Sequence, residues 1–503
     1  MKPIALADWL QQWLNVNSGE PAYRQLYRLL RQAMLDGRLP SGTRLPSSRE
    51  LARDLSIARN TVIQVYEQLA VEGYVSAATG RGTFVEDISQ DTIDSVSAVG
   101  WNDQAGPAGQ SSRGLSTRAR RLIDRLGFSR RQYGAFMAGL PDVAEFPAKT
   151  WLRLQNKHWR NSPGRLLSYA EAGGYAPLRQ AISAYLYSSR SVNSNAEQVV
   201  VTTGIHQALD VATRLLCDIG DTVWIEDPSY WGLRNLLISS GLKVEPIAVD
   251  AEGIRPSRHD LRHPPKLIVV TPSHQYPLGM VMSLARRRML LDYASKHGCW
   301  IIEDDYDSDF RYESRPLPSL QGLDSAGLVL YVGSFSKTMY PGLRIGYMVV
   351  PERMAEAFAS ALAELYREGQ MMTQAIVAEF VREGYLSSHV RRVRNLYAQR
   401  RALLIDVIRS HYGDSLEIVG DEAGLHLVLA LPEYVDDLEI CRQAFERGIT
   451  VRPLSDYYLH EARIRRGLLL GYAQVPPEQI EPAFKILASV VDAQLSMRKQ
   501  SVV

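Results

Sequence analysis

The sequence predicts a multi-domain chain, with a small α+β unit near its start and a large α/β unit filling most of the rest. Three observations lead there. At 503 residues the chain is too long for one ordinary domain. Helical apolar spacing after residue 21 gives way to two short strands by residue 85. From about residue 131, apolar strand-like runs alternate with helical stretches. Between the two units, Ser, Asp, Ala, Gly and Gln dominate up to about Ser112 with no apolar period, the composition of a linker. Arg113 to Arg131 is arginine-rich and reads as a solvated connector. The expected domains are therefore 1–20 (an N-terminal extension), 21–86 (the small unit), 87–130 (a flexible linker) and 131–503 (the large unit).

Composition narrows the function classes. A net charge of +2 implies no partner by itself. Cys217, Cys299 and Cys441 are scattered, lack metal-ligand spacing and fit a reducing cytoplasm. No apolar run is long enough to predict a membrane span. The first ten residues are too broken by polar residues for a signal peptide.

Each element of the small unit has a local reason. Trp9, Leu10, Trp13 and Leu14 share a face and predict a helix over 4–14 that packs on the following unit. Tyr23, Leu26, Leu30 and Met34 recur at helical spacing, and Gly37 stops that helix. Ser47, with Glu50 three residues on, is a capping box opening a helix to about Leu55. A turn through Ser56-Ile57-Ala58 leads to a third helix from Arg59 to about Gly73. Tyr74-Val75 and Thr83-Phe84-Val85 predict two strands, with Gly80-Arg81-Gly82 as the tip between them. Three helices and a two-stranded wing make a winged helix-turn-helix. Its third helix presents Arg59, Asn60 and Thr61 to a major groove, with free N–H groups toward phosphate. Nine arginines against six acids between residues 21 and 86 offer phosphate and guanine contacts, but from charge alone so small an excess fits a helical protein-interaction domain better.

Five stretches resemble the GntR-type winged helix-turn-helix. They are residues 42–52, Arg59-Asn60-Thr61-Val62, Tyr66-Glu67-Gln68-Leu69, Glu72-Gly73-Tyr74 and residues 80–85. The resemblance implies promoter or operator double-stranded DNA as partner. It implies contacts from Arg44, Arg49, Arg59, Asn60 and Thr61, with Arg81 and Gly82 at the wing.

In the large unit, Leu328-Val329-Leu330-Tyr331-Val332 predicts a buried strand. Ser334, Ser336 and Lys337 follow it, then the turn Pro341-Gly342, then Arg344. A lysine at the end of a buried strand is partly desolvated, which lowers its pKa and frees its amine to form an imine. Hydroxyls and an arginine close by suit a phosphate. Pyridoxal 5'-phosphate (PLP) carries both an aldehyde and a phosphate. A second apolar strand, Trp300-Ile301-Ile302, ends in carboxylates. Asp304 or Asp305 there can keep the ring nitrogen of PLP protonated. Tyr306 is placed to reach the ring hydroxyl.

This Ser-x-Ser-Lys setting, with an arginine seven residues on and an aspartate about thirty before, resembles fold-type I PLP enzymes of the aminotransferase group. The similarity runs from about Tyr133 to the end. It implies an α/β fold-type I aminotransferase-like domain with Lys337 as the Schiff-base lysine and Asp304 as the pyridinium partner. Ser334, Ser336 and Arg344 would be phosphate ligands. In Val199 to Leu209, a strand, a glycine turn and a helix would cup the phosphate with the N–H groups of Gly204, Ile205 and His206. By the same resemblance Tyr230 stacks on the ring, and Tyr169 reaches the phosphate of a neighbouring subunit. Two positions depart from the group. Tyr276 stands where an asparagine usually bonds the ring hydroxyl, with His274-Gln275 beside it as a substitute. Leu469 stands where an arginine usually clamps the substrate carboxylate; Arg452, Arg463, Arg465 and Arg466 are near but out of register. Both departures count against ordinary transamination.

A winged helix-turn-helix linked to an aminotransferase-like domain resembles the MocR family of GntR regulators. His274-Gln275-Tyr276-Pro277 and Asp304-Asp305-Tyr306-Asp307 also look like that family's motifs. The resemblance implies a cytoplasmic transcriptional regulator, a head-to-tail homodimer, and PLP held on Lys337. The effector is expected to be a small amine or amino acid, or PLP itself, with at most residual transaminase chemistry. The rival expectation is an active PLP-dependent aminotransferase with an accessory DNA-binding domain.

Overall fold

The computed structural model describes residues 3–14, 19–78, 82–87, 115–116, 119–120, 134–161, 164–169, 171–312, 318–367 and 369–497. They form two compact units divided between Gly114 and Leu115. The linker expected over 87–130 lies almost wholly outside the described residues.

The first unit contains helices α1 (Pro3–Trp13), α2 (Ala22–Leu35), α3 (Ser48–Asp54) and α4 (Arg59–Val71). They are followed by the antiparallel pair β1 (Val75–Ala78) and β2 (Gly82–Val85). The apolar stripes meet in one core: Leu6 and Leu10 of α1 join Leu26, Leu30, Leu51, Val62, Val65 and Leu69. The N-terminal helix therefore shares the hydrophobic core of the winged unit. The capping box at Ser47 is formed in both directions, with Glu50 N–H donating to Ser47 Oγ and Ser47 N–H to Glu50 Oε2.

The second unit is built on an eight-stranded mixed sheet. Its strands are β3 (Val199–Thr202), β4 (Thr222–Asp227), β5 (Lys243–Asp250), β6 (Gly253–Ile254), β7 (Leu267–Val270), β8 (Trp300–Asp305), β9 (Val329–Ser334) and β10 (Gly346–Val349). Their spatial order is β3-β10-β9-β8-β7-β4-β5-β6. Strands β9, β8, β7, β4 and β5 run parallel, and β10 lies antiparallel between β3 and β9. Strands β3, β7 and β10 are buried along their length because both faces are covered. Val200, Ile225, Val269, Ile302 and Leu330 face one helical layer, and Val201, Ile268, Ile301 and Tyr331 face the other side. The parallel strands consequently end along one edge of the sheet, where a ligand crevice forms in open α/β folds.

A second sheet follows, ordered β11 (Ile418–Val419), β12 (His426–Leu431), β14 (Arg466–Gly471) and β13 (Arg452–Pro453). Helices Tyr385–Tyr412, Asp437–Glu446 and Pro477–Met497 supply its core residues. The first residues of the large domain cross to this sheet: Phe136 bridges Gly471, and Ala135 bridges Ile449. Gly139 then lies beside the Lys337 amine.

Candidate cofactor site and nucleic-acid interface

Strand β8 places Glu303, Asp304 and Asp305 in succession at the ligand edge, all buried. Strand alternation sends neighbours to opposite faces. Asp305 is engaged by Arg190, whose Nε lies 2.7 Å from Oδ2, and by the Tyr331 hydroxyl at 2.5 Å. Asp304 Oδ1 and Asp305 Oδ1 are each buried with no hydrogen-bond partner, but Asp305 has the Arg190 charge against its other oxygen. Burial pushes the Asp304 carboxyl well above the usual range, helped by Asp305, Asp307 and Glu226. An orphaned carboxylate of this kind is costly unless a cation comes to meet it. A protonated ring nitrogen meets that need, so Asp304 rather than Asp305 fits PLP.

Lys337 lies just past the end of β9 and donates its Nζ proton to the Gly139 carbonyl at 2.5 Å. Desolvation lowers its pKa, while the charges of Asp307 and Asp304 oppose the shift. Burial thus shifts the amine toward the neutral form, the one that reacts with a carbonyl.

The phosphate end is assembled by β3 and β10. Gly204 is the N-cap of helix Ile205–Leu216, at φ 119°. That backbone conformation favours glycine, and the Arg344 guanidinium packs close by, with Nη2 3.4 Å from where a Cβ would stand. Ile205 and His206 occupy the first turn, where N–H groups have no acceptor within the helix. Ser334 Oγ donates to Ser336 Oγ at 2.9 Å on the same loop. Two hydroxyls, a guanidinium and a helix N-terminus thus fit a phosphate.

The His206 and Tyr230 rings meet edge to face, with Nε2 3.1 Å from the phenol oxygen. Burial, then the Arg344 charge, lowers the His206 pKa. Tyr276 links Tyr230, Tyr306, His426 and Tyr457 by edge contacts of 5.3–6.0 Å. The Tyr306 hydroxyl lies 2.9 Å from His274 Nδ1, which also lies 3.0 Å from Asp307 Oδ2. Gln275 is committed to the Pro228 and Tyr276 carbonyls. Of the pair expected to stand in for asparagine, His274 is the one joined to Tyr306. Tyr169 is 86% exposed on the single chain.

Four contributors escaped the sequence reading. The Gly139 carbonyl, Arg190 and Tyr457 reach the site across long stretches of chain, with no local motif. His426 holds the Pro277 carbonyl through Nε2 at 3.0 Å, and burial lowers its pKa to about 3.

In the first unit, Arg59 and Asn60 stand exposed at the start of α4, with Thr61 half-buried beside them. Arg44 and Arg49 are also exposed. Arg44 bridges Phe84 of the wing, and its Nε lies 2.9 Å from where a Cβ on Gly82 would stand. Tyr66 fixes the approach to α3 by donating to the Pro46 carbonyl at 2.9 Å. Helix start, Arg44 and Gly82 thus belong to one small unit; Arg81 lies outside the described residues.

Comparison with known proteins agrees with both halves. Residues 22–85 match the family described as bacterial regulatory proteins, gntR family, and residues 138–487 match aminotransferase class I and II. The probable rhizopine catabolism regulatory protein MocR of Rhizobium meliloti is 39% identical over 480 residues, which cover 95% of each chain. The HTH-type pyridoxine biosynthesis transcriptional regulator PdxR of Corynebacterium glutamicum is 30% identical, over 93% of this chain and 95% of that one. Among solved structures, an archaeal alanine:glyoxylate aminotransferase aligns with a TM-score of 0.69 at 27% identity, covering 76% of this chain and 98% of its own.

Proposed function

We infer that this chain, which belongs to the MocR kind of GntR-family regulators, binds operator DNA and holds PLP on Lys337 as its sensor. The effector is a small amine or amino acid, or PLP itself; a relative's name speaks of pyridoxine biosynthesis. One observation carries the cofactor reading: the buried, unpartnered Asp304 oxygen in the same field as a desolvated Lys337.

When bound, PLP supplies an aldehyde that links to an amine and a ring that draws electrons. Asp304 would hold the ring nitrogen's proton, Arg344 with Ser334, Ser336 and the Gly204–His206 turn would hold the phosphate, and Tyr230 would cover the ring. Lys337 is the moving part. At rest its Nζ sits on the Gly139 carbonyl, three residues after Phe136, which is bridged to Gly471 of the second sheet. Whatever draws Lys337 from Gly139 therefore pulls on a segment anchored to that sheet. A coupling of about 1–3 kcal/mol between this site and the DNA-binding unit is enough for a switch.

Exposure of Tyr169 supports a homodimer in which it completes the partner's phosphate site. The regulator reading is preferred over a working aminotransferase because Leu469 is fully buried apolar packing and Tyr276 is tied to Tyr457. Footprinting of the segment upstream of the protein's own gene, with and without PLP and a panel of amines, tests the proposal. Protection that changes with ligand supports it; no protected segment under any condition defeats it.

A further inference from the structure

We propose that His274, locked by Asp307, is a positioning residue that turns the Tyr306 hydroxyl hydrogen onto the ring oxygen of the cofactor and so sets the charge of that oxygen. The inference deepens the sensor reading above and rests on PLP standing at Lys337. His274 and Asp307 are both buried, 1% and 2% exposed. His274 Nδ1 lies 3.0 Å from Asp307 Oδ2, 3.2 Å from its Oδ1 and 2.9 Å from the Tyr306 oxygen. A carboxylate only accepts, so the imidazole carries a hydrogen on Nδ1. A nitrogen that bears a hydrogen has no lone pair to offer Tyr306, and the phenol oxygen accepts from it instead. The phenol hydrogen is thereby left to donate into the pocket.

The imidazole is held by this one edge. Its Nε2 is buried with no partner, so Asp307 fixes where the hydrogen stands. Gly424 walls the pair in: a Cβ there would collide with His274 Cε1 and stand 2.7 Å from Asp307 Oδ2. Gly424 is fixed in turn, its carbonyl taking the Tyr312 hydroxyl at 2.7 Å and the Tyr472 hydroxyl at 2.8 Å. The phenol itself stays neutral and able to donate. Burial, then the charges of Asp307, Tyr276, Asp304 and Glu226, push the Tyr306 pKa well above its ordinary value. The other groups around the pair have their own roles. The His426 ring lies 5.6 Å from that of His274 and holds the Pro277 carbonyl. Arg311 bonds the Ser273 carbonyl at 2.8 Å, and the Asp307 charge reaches both Arg311 and Lys337. A hydrogen bond to the charged form of an acid favours that form. With the phenol hydrogen on it, the ring oxygen of PLP keeps its negative charge to lower pH than it would unaided.

The test uses full-length protein loaded with PLP and follows the visible absorbance of the bound cofactor across pH. His274→Leu removes the donor to Tyr306, whose hydrogen is then drawn to the Asp307 charge. The midpoint of the absorbance change should rise by about one pH unit or more, the effect of one hydrogen bond to a charged group. His274→Asn puts an amide N–H close to where Nδ1 stands and should keep the midpoint near that of wild type. Tyr306→Phe should raise the midpoint by itself, and adding His274→Leu to it should raise it no further. Nitrogen-15 spectra of histidine-labelled wild-type protein read the hydrogen on His274 Nδ1 directly, so the proposal stays testable if His274→Leu does not fold. An absorbance titration that is the same in wild type and His274→Leu overturns the proposal while leaving PLP at Lys337. So does an equal shift in His274→Asn, a His274→Leu shift that persists in Tyr306→Phe, or a His274 hydrogen on Nε2 alone. Protein with no visible absorbance after PLP addition fails the cofactor reading, and this proposal with it.

Discussion

At the scale of single residues, two buried acids give measurable signatures. Asp304 has a buried oxygen without a partner, which costs about 1–3 kcal/mol while no cation is present. Asp304→Asn should therefore raise the melting temperature of PLP-free protein by a few degrees and lower that of the PLP-loaded protein. Differential scanning calorimetry on both forms checks it; shifts of the same sign would contradict the pyridinium role. Glu226 is also buried, and burial pushes its carboxyl up to about 7, against pull from Thr271 and Gln275. Its folded pKa exceeds its unfolded value of 4.5, so the fold prefers the protonated form. Stability from this group is then complete below about pH 4.5 and is lost as pH rises through about 7. The loss amounts to about 3 kcal/mol at most. Urea unfolding of PLP-free protein near pH 5 and near pH 8 should show a smaller fall for Glu226→Gln than for wild type. Equal falls would mean that another group titrates.

At the scale of elements, the capping box and the wing are the tests. Ser47→Ala removes the acceptor for Glu50 N–H and should destabilise the winged unit by about 1 kcal/mol. Operator affinity should fall with it, because α3 frames the start of α4. Unfolding of the winged unit, followed by circular dichroism, measures the first; no change would mean that the cap is idle. These elements were legible because their signals are local: a cap and its partner lie three residues apart, and a strand ending in acids is one run of sequence. The Lys337, Asp304 and Gly204 stretches were legible for the same reason. Arg190 was not, since its partner Asp305 lies 115 residues away. The choice of Asp304 over Asp305 came from the family resemblance alone; its physical ground, that Arg190 and Tyr331 occupy Asp305, lies in distant contacts. Tyr306 was expected at a ring hydroxyl, and its hydroxyl lies against His274, a pairing set by two strands rather than by any motif. The register that puts Arg452 beside Leu469 is likewise a property of the second sheet and of no single stretch.

At the scale of the whole molecule, the account requires two subunits and a sensor that speaks to DNA. If Tyr169 completes its partner's site, as proposed, Lys337→Ala and Tyr169→Ala proteins should each retain PLP poorly after dialysis. Mixed dimers of the two should recover part of that retention, because one of their two sites holds both residues. No recovery would place Tyr169 outside the site. The claim on which everything turns is that Lys337 connects cofactor to DNA binding. Its most direct measurement is the operator affinity of full-length wild-type and Lys337→Ala proteins, each PLP-free and then PLP-saturated. The account predicts a change on PLP addition of about fivefold or more for wild type and little for Lys337→Ala. Equal responses from the two proteins, or none from either, would contradict it.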